Sequence, residues 1–148
     1  MYDAILVPTD GSEHAEAAAD HAVSIAARYG ATVHAVNVVD LTAEAGLFDA
    51  GGLPKEFVER LDAEGEKATE RIAEKADRAD VRVATAVLRG TPHRAILDYA
   101  SDNDVDLIVM GGRGLTGVHR VLLGSVTERI IQRADAPVLT VQRSSDGS

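Results

Sequence analysis

The chain has 148 residues and a mass of 15.6 kDa, room for one domain of ordinary size and not for two. Apolar residues make up 45% and aromatic residues 3%, with no Trp, so the core must be built from Val, Leu, Ile and Ala, and stacking platforms for bases are scarce. A net charge of −9, from 24 acidic and 15 basic residues with no basic cluster, argues against polynucleotide binding, and the absence of Cys excludes disulfides and thiolate metal sites.

The chain then alternates between two kinds of segment. Ala4-Ile5-Leu6-Val7, closed by Pro8, is a short apolar run suited to a strand buried on both faces. From Ser12 to Tyr29 the apolar positions Ala15, Ala18, Ala22, Ile25 and Tyr29 recur at helical spacing, and Gly30 is a natural stop. Thr32 to Val39 reads as a second strand. Residues 40 to 53 lose periodicity and are expected to form a surface loop. Pro54 opens a long helix marked by Phe57, Leu61, Ala68, Ile72 and Ala76, supported by the pairs Glu56 to Arg60 and Glu74 to Arg78, with Gly65 weakening its middle.

Val81 to Leu88 is predicted as the third strand. Thr91 is the expected N-cap of the next helix, with Pro92 in its first turn and Ala95, Ile96 and Tyr99 facing inward. Asp106 to Met110 forms the fourth strand, with Asp102, Asp104 and Asp106 as solvated charge at its amino end. A Gly-rich loop, a helix from about Ser125 to Ala134 and a strand from Pro137 to Val141 complete the pattern. The expectation is one α/β unit over residues 1–143, an open, doubly wound, five-stranded parallel sheet with helices on both faces, and a disordered tail at 144–148. With the usual 3-2-1-4-5 order, the apolar edge Val138-Leu139-Thr140-Val141 would invite antiparallel pairing into a homodimer.

Ligands of such sheets sit beyond the carboxyl ends of the strands, where the strand order reverses. Two segments are predicted there: Pro8-Thr9-Asp10-Gly11-Ser12, and the stretch from Met110-Gly111-Gly112-Arg113-Gly114 to Gly124-Ser125-Val126-Thr127-Glu128. Gly111 and Gly114 permit sharp turns or close approach and so a nest of amides for an anion. Ser125-Val126-Thr127-Glu128 has the spacing of a capping box, and the amides of its first turn suit phosphate. Plain turn chemistry explains the same glycines, and neither a P-loop nor a dinucleotide fingerprint is present. Asp10 is equally readable as a helix cap competing with Ser12. His14, His21, His34 and His93 lack metal-ligand spacing and are expected to be structural or exposed. His119 and Arg120, between the motif glycines, are read mainly as surface residues.

The pattern Gly111-x-x-Gly114, nine residues, then Gly124-Ser125 resembles the signature of the ATP-binding branch of the universal stress proteins. The opening Ile5-Leu6-Val7-Pro8-Thr9-Asp10-Gly11-Ser12, the Gly90-Thr91-Pro92 element and the closing Ala136-Pro137-Val138-Leu139-Thr140-Val141 extend the resemblance over essentially the whole chain. It implies that Pro8, Thr9 and Asp10 line the nucleoside side of a pocket, with Val38 an apolar wall for adenine and Met110 and Gly111 touching the nucleotide. It places Gly114, Gly124, Ser125, Val126 and Thr127 around the phosphates. Arg113 stands, beside Gly112, where relatives often carry Ser and His, and would add charge near phosphate or face solvent. A carboxylate near a triphosphate requires a cation between them, so Asp10 implies Mg²⁺.

No nucleophile, base and orienter occur in recognisable order. The function expected is an ATP-binding regulatory or stress-response protein with at most slow hydrolysis; the alternative is a nucleotide-independent dimeric interaction protein on the same scaffold. With no basic leader after Met1-Tyr2-Asp3 and no apolar run near the ~20 residues of a membrane span, a cytoplasmic location is expected, without membrane or nucleic-acid partners. The acidic, Ala-rich surface, with Lys only at Lys55, Lys67 and Lys75, suggests a salty cytoplasm.

Overall fold

Apolar runs four to eight residues long can be buried on both faces only if helices cover both sides of the sheet they form. The computed structural model, which describes residues 1–41, 52–112 and 124–142, shows this arrangement. Its elements are β1 (Ala4–Pro8), α1 (Glu13–Tyr29), β2 (Thr32–Val39), α2 (Lys55–Arg78), β3 (Val83–Arg89), α3 (Pro92–Asp102), β4 (Leu107–Gly111), α4 (Ser125–Arg133) and β5 (Val138–Val141). The five strands are parallel and lie in the order β3-β2-β1-β4-β5, the predicted architecture. Arg143 and the tail at 144–148 lie outside the described residues, as does most of the predicted loop after β2.

Strand side chains alternate between two cores. Ile5, Val7, Val33, Ala35 and Val109 point to the α1–α2 face and meet Ile72 and the alanines of α1. Leu6, Val36, Ile108 and Met110 point to the other face, toward Ile96 of α3 and Ile130 of α4. Fully burying each large aliphatic side chain contributes roughly 1.5–3 kcal/mol.

Three helices end in the same way. Gly30, Asp80 and Asp104 adopt left-handed backbone, with φ of 68°, 56° and 50°. The next amide then closes onto the helix: Ala31 donates to the Ala26 carbonyl at 3.1 Å, Val81 to Ala76 at 2.8 Å and Val105 to Ala100 at 2.9 Å. Each closing residue is also buried against a core. Val81 therefore caps α2, and β3 begins at Val83 rather than at Val81.

Several local expectations change. Arg60 lies over the Phe57 ring at 5.1 Å instead of pairing with Glu56, while the expected Glu74–Arg78 pair forms at 4.0 Å and Lys55–Glu59 joins it at 3.9 Å. Gly65 is a site of close approach: a β-carbon there would meet Asn37 Cγ at 3.0 Å and Val87 Cγ1 at 3.2 Å. Asp106 is more than solvated charge, because its carboxylate accepts the Asp3 amide at 2.9 Å and the Ala4 amide at 3.2 Å. It holds the start of β1 beside β4.

β1 lies between β2 and β4. It pairs with β2 over five residues, Ala4↔Thr32 to Pro8↔Val36, yet its register with β4 covers only Ile5↔Leu107 and Leu6↔Ile108. The chain order reverses at this junction, and the carboxyl ends of β1 and β4 flank the crevice it creates.

Candidate functional site

The loop leaving β1 is fixed by its own short polar side chains. Thr9 Oγ1 accepts the Gly11 amide at 3.0 Å, and Asp10 Oδ1 accepts the Ser12 amide at 2.9 Å. Ser12 caps α1 by accepting the Ala15 amide at 3.2 Å, so Ser12 rather than Asp10 is the cap. The Thr9 amide donates to Val36 O at 2.8 Å, and Asn37 Nδ2 donates to the Thr9 carbonyl at 2.9 Å. Thr9 is thus tied to the end of β2 on both sides of its peptide unit.

The second segment is anchored differently from its expected form. Gly124, not Ser125, is the N-cap of α4, and no side chain caps the helix. Ser125, Val126 and Thr127 are the first three helical residues, so the predicted capping box does not form. Their amides have no partner within the helix. Two groups on residues expected around the phosphates have other uses. The Gly124 amide donates to Gly112 O at 2.6 Å, and the buried Thr127 hydroxyl donates to Gly111 O at 2.9 Å. Gly112 in turn gives its amide to Val141 O at 3.1 Å.

Gly111 does not have left-handed backbone. It is required for space: a β-carbon would lie 2.9 Å from the backbone carbonyl group of His14 on α1. Thr91 stands at the N-cap position of α3 without a side-chain capping bond, and Pro92 occupies the first turn as predicted.

These segments converge on one cavity of about 210 Å³. Of the predicted site residues, Pro8, Thr9, Asp10, Val38, Met110, Gly111, Gly124, Ser125, Val126 and Thr127 line it. Arg113 and Gly114 lie outside the described residues. The lining also includes Ala15, Val36, Asn37, Pro92 and Ile96, which the sequence reading did not assign to a site. Asn37 had a legible signal, as a polar residue in the otherwise Val-rich end of β2. A second cavity of about 230 Å³ adjoins the first, sharing Asp10, Asn37 and Val38, and reaches Asp40, Glu64 and Gly65.

The first cavity has an apolar wall from Val36, Val38, Ile96 and Met110, and a polar end from Thr9, Asp10, Ser125 and the start of α4. Among the described lining residues Asp10 alone carries a charge. Such a site suits a flat apolar group joined to an anionic one. Among the described residues no three His, Asp or Glu side chains are grouped to hold a metal. Nor is any helix among them long and apolar enough to cross a membrane.

The model of the universal stress protein family matches residues 1–142. The chain is 41% identical to universal stress protein MJ0531 of Methanocaldococcus jannaschii over 143 residues, covering 97% of this chain and 84% of that one. The solved structure of MJ0577, from the same organism, superimposes with a TM-score of 0.85 at 33% identity, covering 98% of this chain and 99% of that one. A universal stress protein solved in complex with cAMP is similar at a TM-score of 0.70 and 25% identity, over 97% of this chain and 98% of that one. With its sheet order, its crevice and these likenesses in agreement, the chain belongs to the universal stress protein family.

Proposed function

We propose that the cavity at the junction of β1 and β4 binds an adenine nucleotide, ATP with Mg²⁺, and that the protein acts as a nucleotide-dependent regulatory or stress-response protein. The observation that carries this reading is the convergence on one crevice of the apolar wall, the β1 loop and the first turn of α4. The complex of a similar protein with cAMP supports the choice of an adenine nucleotide. In this reading Val38 and Met110 hold the base, with Val36 and Ile96 beside them. Pro8, Thr9 and Asp10 face the nucleoside. Gly111, Gly124 and the amides of Ser125, Val126 and Thr127 lie toward the phosphates, with Arg113 and Gly114 completing that end.

Mg²⁺ fits this lining as an ion that arrives with its phosphates. Asp10 would be the carboxylate that holds it, and the bound ion would offset the charge between that carboxylate and the phosphates. The described lining residues provide no ionisable group besides Asp10 to act as a base, so hydrolysis is slow in this reading.

The β5 edge, Val138 to Val141, pairs two copies into a dimer in this proposal; Leu139 is 38% exposed there. In this proposal the dimer works in a salty cytoplasm, a reading that the acidic composition supports.

The test is mass analysis of small molecules released from natively purified protein, together with thermal melts with ATP and Mg²⁺. ATP in about hundredfold excess over its dissociation constant should stabilise the fold by about 2.7 kcal/mol. No released nucleotide and an unchanged melting temperature with ATP and Mg²⁺ would overturn the assignment, leaving a nucleotide-independent interaction protein.

A further inference from the structure

The sequence shows no basic run, yet the fold assembles a basic face. Lys55, Lys75, Arg78 and Arg89 each lie within 4.0 Å of a carboxylate of the same chain. Arg94, Arg129 and Arg133 are exposed and, among the described residues, have no carboxylate at ion-pair distance. Asp98, one turn along α3 from Arg94, and Glu128, beside Arg129, make no ion pair with them.

Arg133 touches one buried ring, and the charges of Arg94 and Arg129 reach it. His93, in the first turn of α3, is 6% exposed, and Arg133 Nη1 lies 3.4 Å from its Nε2. Arginine can only donate, so Nε2 of a neutral ring accepts this contact and the guanidinium is held in place. Burial, and then the charges of Arg129, Arg133 and Arg94, lower the His93 pKa and favour that neutral form. Arg129 and Arg133 are one turn apart on the flank of α4 nearest α3. Ile131, 43% exposed, falls about 180° away around the helix. The arginines and Ile131 therefore lie on opposite flanks of α4.

Three guanidiniums left together on a chain of net charge −9 form a local field opposite to that of the surface around them. They are spread over two helices, so each can take its own carboxylate in a two-pronged contact, as side chains along a peptide would present them. We propose that this face of α3 and α4, built from Arg94, Arg129 and Arg133 around His93, docks an acidic peptide segment of a partner protein. The proposal does not depend on the nucleotide reading.

The probe is a fluorescein-labelled peptide of about ten glutamates, titrated by anisotropy at about 0.1 M and about 0.5 M salt. Three proteins are compared: the unaltered chain, an Arg94→Gln/Arg129→Gln/Arg133→Gln variant and a control Arg28→Gln/Arg60→Gln/Arg78→Gln variant. All six positions are exposed, so both variants should keep the native circular dichroism spectrum. The unaltered and control proteins should bind alike and weaken with salt, while the first variant loses about tenfold or more in affinity. Equal loss in both variants, or no binding by the unaltered protein, would overturn the proposal. So would inorganic polyphosphate of equal charge binding more tightly through the same arginines, because the face would then read phosphate.

Discussion

Replacing Gly111 by Ala puts a methyl group 2.9 Å from the His14 carbonyl, where only the backbone of β4 or α1 can yield. The expected cost is about 1–3 kcal/mol, read from urea unfolding. Thr127 tests a different idea. Thr127→Val keeps the shape but leaves Gly111 O without its 2.9 Å donor, which should cost about 1–3 kcal/mol, while Thr127→Ser should recover much of it. A loss of ATP affinity in Thr127→Val with unchanged stability would mean that the hydroxyl serves a ligand and not the strand. Asp104, with φ of 50°, points the other way: Asp104→Gly should raise stability by up to about 1 kcal/mol in the same measurement. The sequence shows that these positions are glycine, threonine and aspartate, but not the neighbour that gives each its role. His14 is nearly a hundred residues from Gly111, and the Thr127 hydroxyl is used by a carbonyl that only the folded β4 presents.

At the scale of elements, far more could be read from the sequence. The bounds of β2 and the stop of α1 at Gly30 follow from apolar spacing and one flexible residue, because both signals are local. The start of β3 and the cap of α4 did not follow, since each depends on a hydrogen bond whose partner is set by tertiary packing. Polar contacts between elements were equally hidden. His34 on β2 holds Tyr99 on α3, with Nδ1 and the hydroxyl oxygen 2.8 Å apart. Burial lowers the His34 pKa from its ordinary 6.5 and raises that of Tyr99 from 10.0. The folded chain therefore binds fewer protons than the unfolded one just below pH 6.5, and the stability present above that pH is lost as it falls. His93 acts in the same sense. The melting temperature should drop between about pH 7.5 and about pH 5.5, and His34→Gln/His93→Gln should drop less. An equal drop in the variant would assign the pH response to other groups.

For the whole molecule, the alternation of strands and helices carried the doubly wound parallel sheet, its 3-2-1-4-5 order was taken as the usual one for such sheets, and the position of the crevice followed from that order. The arginine face did not, because its members come from two helices about 35 residues apart and meet only after folding. Net charge acts at this scale too. With 24 acidic and 15 basic residues, added salt should screen self-repulsion, and the melting temperature should rise between about 0.1 M and about 1 M KCl. Light scattering over the same range tests the β5 dimer, and Leu139→Lys should shift it to monomer.

The short register between β1 and β4 bears on how the molecule moves. Three strands stand on one side of that seam and two on the other, each set stitched internally over four to seven residue pairs. At the seam, Ile5 and Leu6 hold the base while Pro8 and Met110 stand at the open end. Yet α1 lies across both plates, against β1 and β2 on one side and β4 and β5 on the other, and so splints the seam: the two halves travel as one body and the crevice is a fixed slot.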